Sequence, residues 1–331
     1  MNKNKPFFIL APMDDVTDTV FRQIVADCTP PDIFFSEFVN VDGLVSQGRT
    51  KLVKKLQFTD KDNPLIAQLW GKEPANFKTI AHQIASGSLA KELGLAKGIN
   101  FYGVDLNMGC PQKNEVKAGT CSALINNRQL AQEIIEATKE GLDNRLPLSV
   151  KTRLGWNEID LSWHEFLLKQ KLNMLTIHGR TRKEMSKVPA HWEHIGKVKE
   201  LRDKLSPNTL IVGNGDVLSR QQGLSLAKRY DLDGIMIGRG IFKDPFVFSE
   251  NSPWLNKSSK EKLELFKKHV NLFKSTWEGE KPVQVLNKFC KVYINGLSNA
   301  KELREQIMAS TNINDLISLI DNLLLVSDSL D

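Results

Sequence analysis

A cysteine stands between a glycine and a proline at the end of a strand-like run, Val104-Asp105-Leu106-Asn107-Met108-Gly109-Cys110-Pro111. Gly109 permits close backbone approach and Pro111 fixes the chain's exit, so the thiol is held on a tight turn and cannot slide into a core. A thiol placed this way can meet a ligand. With an ordinary pKa of roughly 8.5 it is mostly protonated at neutral pH and can donate that proton. Gln68 lies in the apolar run Ile66-Ala67-Gln68-Leu69. A buried amide needs partners, and it offers a donor and an acceptor together. Lys151 and Arg153 alternate in Ser149-Val150-Lys151-Thr152-Arg153 and point the same way on a strand. Facing a cavity, two cations need an anionic or electron-rich ligand; facing water, they are surface charge. Gly213-Asn214-Gly215-Asp216 and Gly238-Arg239-Gly240 suit phosphate binding by main-chain N–H groups with Arg239 adding charge, or else form two tight turns. His178 and Arg180 end a further run as His178-Gly179-Arg180-Thr181. His191 and His194 have metal-like spacing, but Glu193 lies between them and no cysteine is near, so they read as surface or packing residues. No metal site is expected. His82, His164 and His269 carry no signal.

These residues need elements to position them. Eight short apolar segments recur: Phe7–Met13, Asp32–Val39, Leu65–Trp70, Val104–Met108, Leu148–Thr152, Met174–His178, Leu210–Gly213 and Gly234–Ile237. Helical patterns separate most of them, including one from Pro74 toward Leu93, one from Asn127 to near Gly141, and Ser162–Lys171, Trp192–Leu205 and Ser219–Tyr230. Strands alternating with helices imply parallel pairing. Eight such units within about 245 residues match an α/β fold of the (β/α)8 TIM-barrel type, while a doubly wound sheet usually has fewer strands. In a barrel the active residues gather where strands end, on the C-terminal face. Pro12, Met13 and Asp14 follow the first strand, Gln68 lies in the third, and Asn107 and Cys110 close the fourth. Lys151 and Arg153 belong to the fifth, and His178 and Arg180 to the sixth. Asn214, Gly215 and Asp216 follow the seventh, and Gly238 and Arg239 follow the eighth. The last two positions are where barrels commonly bind phosphate. An amide such as Gln68 among these residues suits the edge of a flavin ring.

After Pro245 the pattern turns helical. Leu263, Phe266, Val270, Phe273 and Trp277 share one helix face, as do Leu316, Leu319, Ile320, Leu323 and Leu324. The expected organisation is a barrel over residues 1–250 and a small C-terminal helical bundle over 251–331. The chain of 331 residues carries a net charge of +6, which permits a polyanionic partner without requiring one. Residues 256–305 hold eleven Lys and Arg against six Glu, while 306–331 hold four Asp and no base. The basic excess therefore falls on predicted helices, as a docking face or a solvated one. No run approaches the ~18 apolar residues of a membrane span. Cys28, Cys110, Cys121 and Cys290 have no paired spacing, and Met1 to Pro6 show no apolar leader. A cytoplasmic protein with free thiols is expected. Cys28 and Cys290 read as small apolar fillers, and Cys121, in the loop after the fourth strand, is left without a role.

In order along the chain, the motifs Ala11-Pro12-Met13 with Val16-Thr17-Asp18, Ser36-Glu37-Phe38-Val39, Gln68-Leu69, Asp105 to Pro111, Lys151-Thr152-Arg153-Leu154-Gly155-Trp156, His178-Gly179-Arg180-Thr181, Gly213 to Asp216 and Ile237-Gly238-Arg239-Gly240 resemble those of the tRNA-dihydrouridine synthases. The resemblance spans residues 7 to about 245, and the helical tail agrees in length and place. It implies an FMN enzyme that uses NADPH to reduce selected uridines of tRNA to dihydrouridine. Carried over, Pro12, Met13 and Asp14 line the flavin, and Gln68 and Lys151 hold its ring edge. His178, Asn214, Gly215, Asp216, Gly238 and Arg239 hold the ribityl and phosphate end. Asn107 places the uracil and Cys110 is the general acid. Arg153 and Arg180 are candidate substrate contacts, and Lys288 and Tyr293 match tRNA-contacting positions of similar enzymes. No DNA and no obligate protein partner are implied. The sequence departs from the family pattern at Asp15, Asn40, Met185-Ser186 and the loop Gly119 to Ala123, positions that bear on the substrate rather than the flavin. The variants present are most similar to the bacterial subgroup acting on uridine 16 of the D-loop.

Two other readings fit parts of the pattern. A flavin barrel acting on a free pyrimidine needs no basic helical tail. An RNA-binding protein without catalysis predicts a disrupted residue set or a missing thiol, and neither is seen.

Overall fold

A computed structural model describes residues 5–297 and 299–325. The expected barrel is present. Eight parallel strands close on themselves: β1 (Phe7–Leu10), β2 (Ile33–Phe35), β3 (Leu65–Trp70), β4 (Gly103–Met108), β5 (Leu148–Arg153), β6 (Met174–His178), β7 (Leu210–Asn214) and β8 (Gly234–Ile237). Closure comes from β8 pairing with β1 and β1 with β2, which joins β3 in turn. The strands are near-continuous apolar runs because each is covered on both faces, by the barrel interior and by the helices outside; all four residues of β1 are buried.

The second strand is shorter than the apolar run that predicts it. The Ser36 N–H still donates to the Ile66 carbonyl, but the Gln68 N–H turns to the Ser36 hydroxyl, which itself donates to the Glu37 carbonyl, and the ladder stops there. A two-residue bridge, Val39–Asn40, then pairs with the end of β3. The helical pattern after Pro74 is also split, into Pro74–Ala85 and Ser88–Glu92, with Gly87 in the left-handed region between them.

The interior of the barrel is layered. Near the strand starts it is apolar, filled by Phe7, Ile9, Ile33, Phe35, Ile66, Met174, Val212 and Met236. Side chains two residues further along the same faces are polar. Gln68 follows Ile66, Thr176 follows Met174, and Asn214 follows Val212, as the two-residue period of a strand requires. The fold therefore has a dry floor and a polar rim.

The chain packs as two compact units. The barrel unit comprises Met1–Thr19 and Pro31–Gly238; the other comprises Val20–Pro30 and Arg239–Asp331. The helical unit thus begins earlier than residue 251 and takes in most of the helix Thr19–Cys28. Its long helix, Ser259–Trp277, starts at a capping box formed by Ser258 and Glu261. Its core is aromatic: the rings of Phe21 and Phe289 lie 4.6 Å apart and those of Phe266 and Tyr293 4.9 Å. Among the described residues, no helix is long and apolar enough to cross a membrane.

Candidate active site

Strand register sets the rim. Gln68 pairs with Asp105, Asp105 with Ser149, Asn107 with Lys151, and Lys151 with Thr176. One step further toward the strand ends, Arg153 pairs with His178 and His178 with Asn214. Residues scattered over nearly 150 positions of sequence thereby become neighbours in two adjoining layers.

The lower layer is a bonded network. Gln68 Nε2 donates to Asp105 Oδ2 at 2.8 Å, and Asn107 Nδ2 donates to Gln68 Oε1 at 3.2 Å. The Ser149 hydroxyl donates to Asp105 Oδ1 at 2.6 Å. Asp105 fixes which end of the Gln68 amide carries the oxygen, because a carboxylate only accepts. Burial raises the Asp105 carboxyl to about 6, against the opposing pull of Ser149, Gln68 and Lys151. Burial also lowers Lys151 to about 8, helped by Arg153 and opposed by Asp105 and Cys110. At neutral pH the rim thus holds an ammonium and a carboxylate, each already drawn toward its neutral form.

Asn107 ties this network to the cysteine turn. Its Oδ1 accepts the N–H groups of Gly109 at 3.1 Å and Cys110 at 2.9 Å. At Gly109 a Cβ would stand 3.2 Å from the Thr152 backbone and 3.3 Å from the Lys151 carbonyl oxygen, so a side chain there would press on β5, and glycine lets the turn lie this close without that shift. Arg153, expected at the substrate, is buried and holds the turn from below: Nε donates to the Gly109 carbonyl at 2.8 Å, and Nη1 to those of Thr181 and Met185. Cys110 itself is half-buried. The Cys121 thiol is its neighbour across the loop. Cys121, helped by the Gln112 N–H and Arg153, holds Cys110 below the ordinary thiol range despite burial and Glu115.

The other half of the rim is held by a guanidinium. Arg180 is buried and donates to His178 Nε2 at 3.0 Å, to the Val188 carbonyl and to the Asp216 carboxylate. Because a guanidinium only donates, His178 Nε2 is an acceptor there and the ring proton sits on Nδ1. Gly215 has φ +134 and Asp216 φ +55, a left-handed pair of residues in which glycine carries the more extreme angle. The Asn214 side chain donates to the Met236 carbonyl at 2.9 Å. Met13 stands at the same rim, its backbone clasped by the Thr17 hydroxyl.

Two observations test whether these residues suit a flavin mononucleotide. The buried Thr176 hydroxyl, beside Lys151, has no hydrogen-bond partner among the described residues. A Cβ built on Gly238 would meet nothing nearer than Ala11 Cβ at 3.5 Å and Met13 Sδ at 3.9 Å, so the main chain there is open to a ligand. An orphaned hydroxyl, a polar rim and an uncrowded glycine fit a polar aromatic ring with a phosphate arm. Pro12, Met13, Gln68, Lys151, His178, Asn214, Gly215, Asp216 and Gly238 all lie on this rim. Arg239 opens the 3-10 turn Arg239–Phe242 of the second unit.

Asp14 has a different setting. Lys55 Nζ lies 2.5 Å from its carboxylate, 3.6 Å from that of Glu37 and 3.8 Å from that of Asp15. The three carboxylates could in principle gather a cation, but the Lys55 ammonium occupies that position. Glu37, Asp14 and Asp15 outweigh the burial of Lys55 and raise its pKa.

In the helical unit, Lys288 is exposed at the 3-10 turn Val283–Phe289. Tyr293 is not a surface residue. It is fully buried, and its hydroxyl is 2.8 Å from His269 Nδ1. A ring with no exposed area cannot meet an RNA in this conformation. Sequence reading assigned no role to Asp105, Thr176, Lys55 or Cys121. Only for Asp105 was there a usable signal, an acid inside an apolar strand.

A family profile described as "Dihydrouridine synthase (Dus)" matches residues 9–325. The chain is 44% identical over 321 residues to a "Probable tRNA-dihydrouridine synthase" of Staphylococcus aureus (strain Mu50), covering 96% of this chain and 93% of that protein. It is 43% identical over 323 residues to "Probable tRNA-dihydrouridine synthase 2" of Bacillus subtilis (strain 168), covering 96% and 94%. Among solved structures, histamine dehydrogenase from Rhizobium sp. 4-9 superposes with a TM-score of 0.52 at 13% identity, over 80% of this chain and 48% of that one, a likeness of fold alone.

Proposed function

Because the chain belongs to the tRNA-dihydrouridine synthase family, and so to a family of oxidoreductases, we propose that it reduces a D-loop uridine of tRNA, uridine 16, to 5,6-dihydrouridine in the cytoplasm. The cofactor of this reading is FMN, with NADPH as reductant. When bound, the flavin supplies the hydride that uracil C6 receives.

The protein's own residues supply the rest. Lys151 and Gln68 orient the ring edge, and the charge of Lys151 favours electron density there. His178, Asn214, Gly215, Asp216, Gly238 and Arg239 form the polar and phosphate-binding side. Asn107, bonded to Gln68 on one side and to the Cys110 N–H on the other, orients the uracil. Cys110 delivers a proton from Sγ to uracil C5, its S–H bond breaking as the C5–H bond forms and the electron pair staying on sulfur. Solvent then restores the thiol. The base must leave its stack to reach a pocket inside a barrel rim. The exposed bases of the helical unit, Lys288 among them, bind the tRNA backbone electrostatically.

The observation that carries this reading is one continuous bonded path, from Asp105 through Gln68 and Asn107 to Cys110, at the C-terminal face of a barrel. Mapping dihydrouridine at nucleotide resolution in tRNA from cells with and without the protein tests it. Loss at position 16 alone is expected. Loss at another position overturns the site assignment, and unchanged tRNA overturns the activity. Reduction of free uracil as fast as tRNA by the purified protein would put a free-pyrimidine enzyme in its place.

A further inference from the structure

Beside Cys110, the described residues include three cysteines, and one of them has an environment unlike the other two. Cys28, half-buried, and Cys290, buried, are ordinary thiols of the helical unit that burial pushes up to about 12 and about 11. Cys121 is unlike either. It is fully buried, it sits at φ +54, and the residue after it is bonded to the Cys110 carbonyl, which sets its thiol beside that of Cys110. A left-handed backbone is uncommon outside glycine, asparagine and aspartate, and persists where the surroundings over-determine it.

Those surroundings are visible. From Cys110 the chain runs out through the short helix Lys113–Lys117 and returns at the 3-10 turn Cys121–Asn126. The return is closed by Thr120, whose N–H and hydroxyl both donate to the Glu115 carbonyl, and by the Ser122 N–H, which donates to the Cys110 carbonyl at 3.3 Å. This loop brings the second thiol back onto the first. A residue that merely filled space would need neither the strained backbone nor the contact.

We propose that Cys121 is a positioning residue for Cys110: its S–H donates to Cys110 Sγ, fixes where that sulfur points, and stabilises the sulfur after it has given up its proton. Asn107 and Arg153 hold the backbone of the turn, and Cys121 holds its reacting atom. The S–H···S bond strengthens when the acceptor becomes a thiolate, because the bond is then charge-assisted. Cys121 thereby favours the state that proton donation leaves behind. The inference rests on Cys110 being the acid, but the contact it describes can be measured without that assumption.

The test is the pH dependence of Cys110 alkylation by iodoacetamide in the FMN-loaded protein, read by peptide mass mapping so that the four cysteines are separated. The variants are Cys121→Ala, Cys121→Gly and Cys121→Ser. Glycine removes the thiol and also relieves the backbone, so it remains informative if the alanine variant fails to fold. Expected results are an alkylation midpoint moved to higher pH in the alanine and glycine variants, with rates severalfold lower at pH 7, and a midpoint near that of the native protein in the serine variant, whose hydroxyl still donates. An unmoved midpoint in the glycine variant overturns the proposal. A serine midpoint displaced as far as that of glycine overturns the donor role. Dihydrouridine formation by Cys110→Ala is a separate arm: activity there refutes Cys110 as the acid and leaves the alkylation result standing.

Discussion

The barrel rim and the helical unit both concentrate charge, but they hold it in opposite ways. On the rim, Asp105 is buried, Lys151 is largely screened from water, and both are drawn toward their neutral forms. In the helical unit the bases stand in water and pair one by one with nearby acids. Lys267 lies 2.7 Å from Asp321 and Lys268 2.8 Å from Asp27, each lysine side chain more than a third exposed. Exposed pairs of this kind contribute roughly 0–1 kcal/mol each. The rim therefore concentrates its function in a few atoms, whereas the helical unit spreads an electrostatic attraction over many. Substitutions on the rim should be severe and specific, and those in the helical unit mild and cumulative.

The sharpest way to break this contrast is Cys110→Ala. Removing a positioned general acid costs on the order of 10²–10⁴ in rate. The variant should bind FMN and consume NADPH with dissolved oxygen as the native protein does, yet form almost no dihydrouridine. Undiminished product in a nucleotide-resolved assay would take Cys110 out of the mechanism. The pH profile sharpens the same point. Cys110 must be protonated to donate, so activity should fall as pH rises through its lowered pKa, on the acid side of a free thiol's titration. The loss of charge on Lys151 at about 8 adds a second fall on the same limb. A rate still climbing through this range would contradict both assignments.

Asp105→Asn comes next, because it should separate stability from activity. A carboxyl raised to about 6 in the folded protein from 3.8 when unfolded penalises folding once it must ionise. The penalty is absent below the unfolded value, grows from about pH 4, and is complete above about pH 6, reaching about 3 kcal/mol. The asparagine variant should lose that pH dependence and melt higher than the native protein at pH 7.5. It should also lose activity, since nothing then dictates the orientation of the Gln68 amide. Parallel melting curves for the two proteins from pH 4 to 7.5 would show that Asp105 titrates normally.

How much of this was legible beforehand follows from the same contrast. Parallel strands covered on both faces leave apolar runs that stand out in sequence, so all eight strands were visible. Gln68, Lys151 and Cys110 were visible because each breaks such a run or ends one. Asp105 breaks its run too, yet its meaning lies in Ser149, 44 residues away, and only register brings the two together. Thr176 was hidden because a β-branched residue belongs in a strand whether or not its hydroxyl is satisfied. Cys121 was hidden because its contact depends on a loop returning through a strained turn. Tyr293 was misplaced for the converse reason. It stands among lysines in sequence, but sequence does not reveal which side of a five-residue helix faces the core.

Lys288→Glu should produce a smaller effect than either rim variant. Reversing one exposed charge removes a phosphate contact and adds a repulsion, so tRNA affinity should fall severalfold at low salt and much less at high salt. Binding isotherms at two salt concentrations check this. A loss that is independent of salt would mean that Lys288 acts through structure rather than charge.

Tyr293→Phe gives the smallest expected change, and it tests the division from inside the helical unit. Deleting the hydroxyl removes one buried hydrogen bond to His269 Nδ1, a loss of about 1 kcal/mol in stability. The ring still stacks on Phe266 at 4.9 Å and stands edge-on to His269, so the packing of the unit should survive. tRNA affinity should stay at the native level while the melting temperature falls by a few degrees. The informative outcome is the reverse, with melting unchanged and tRNA binding weakened. That pattern requires the phenol to leave the core and reach the RNA, and the helical unit would then rely on a specific buried contact as the rim does, not on diffuse charge.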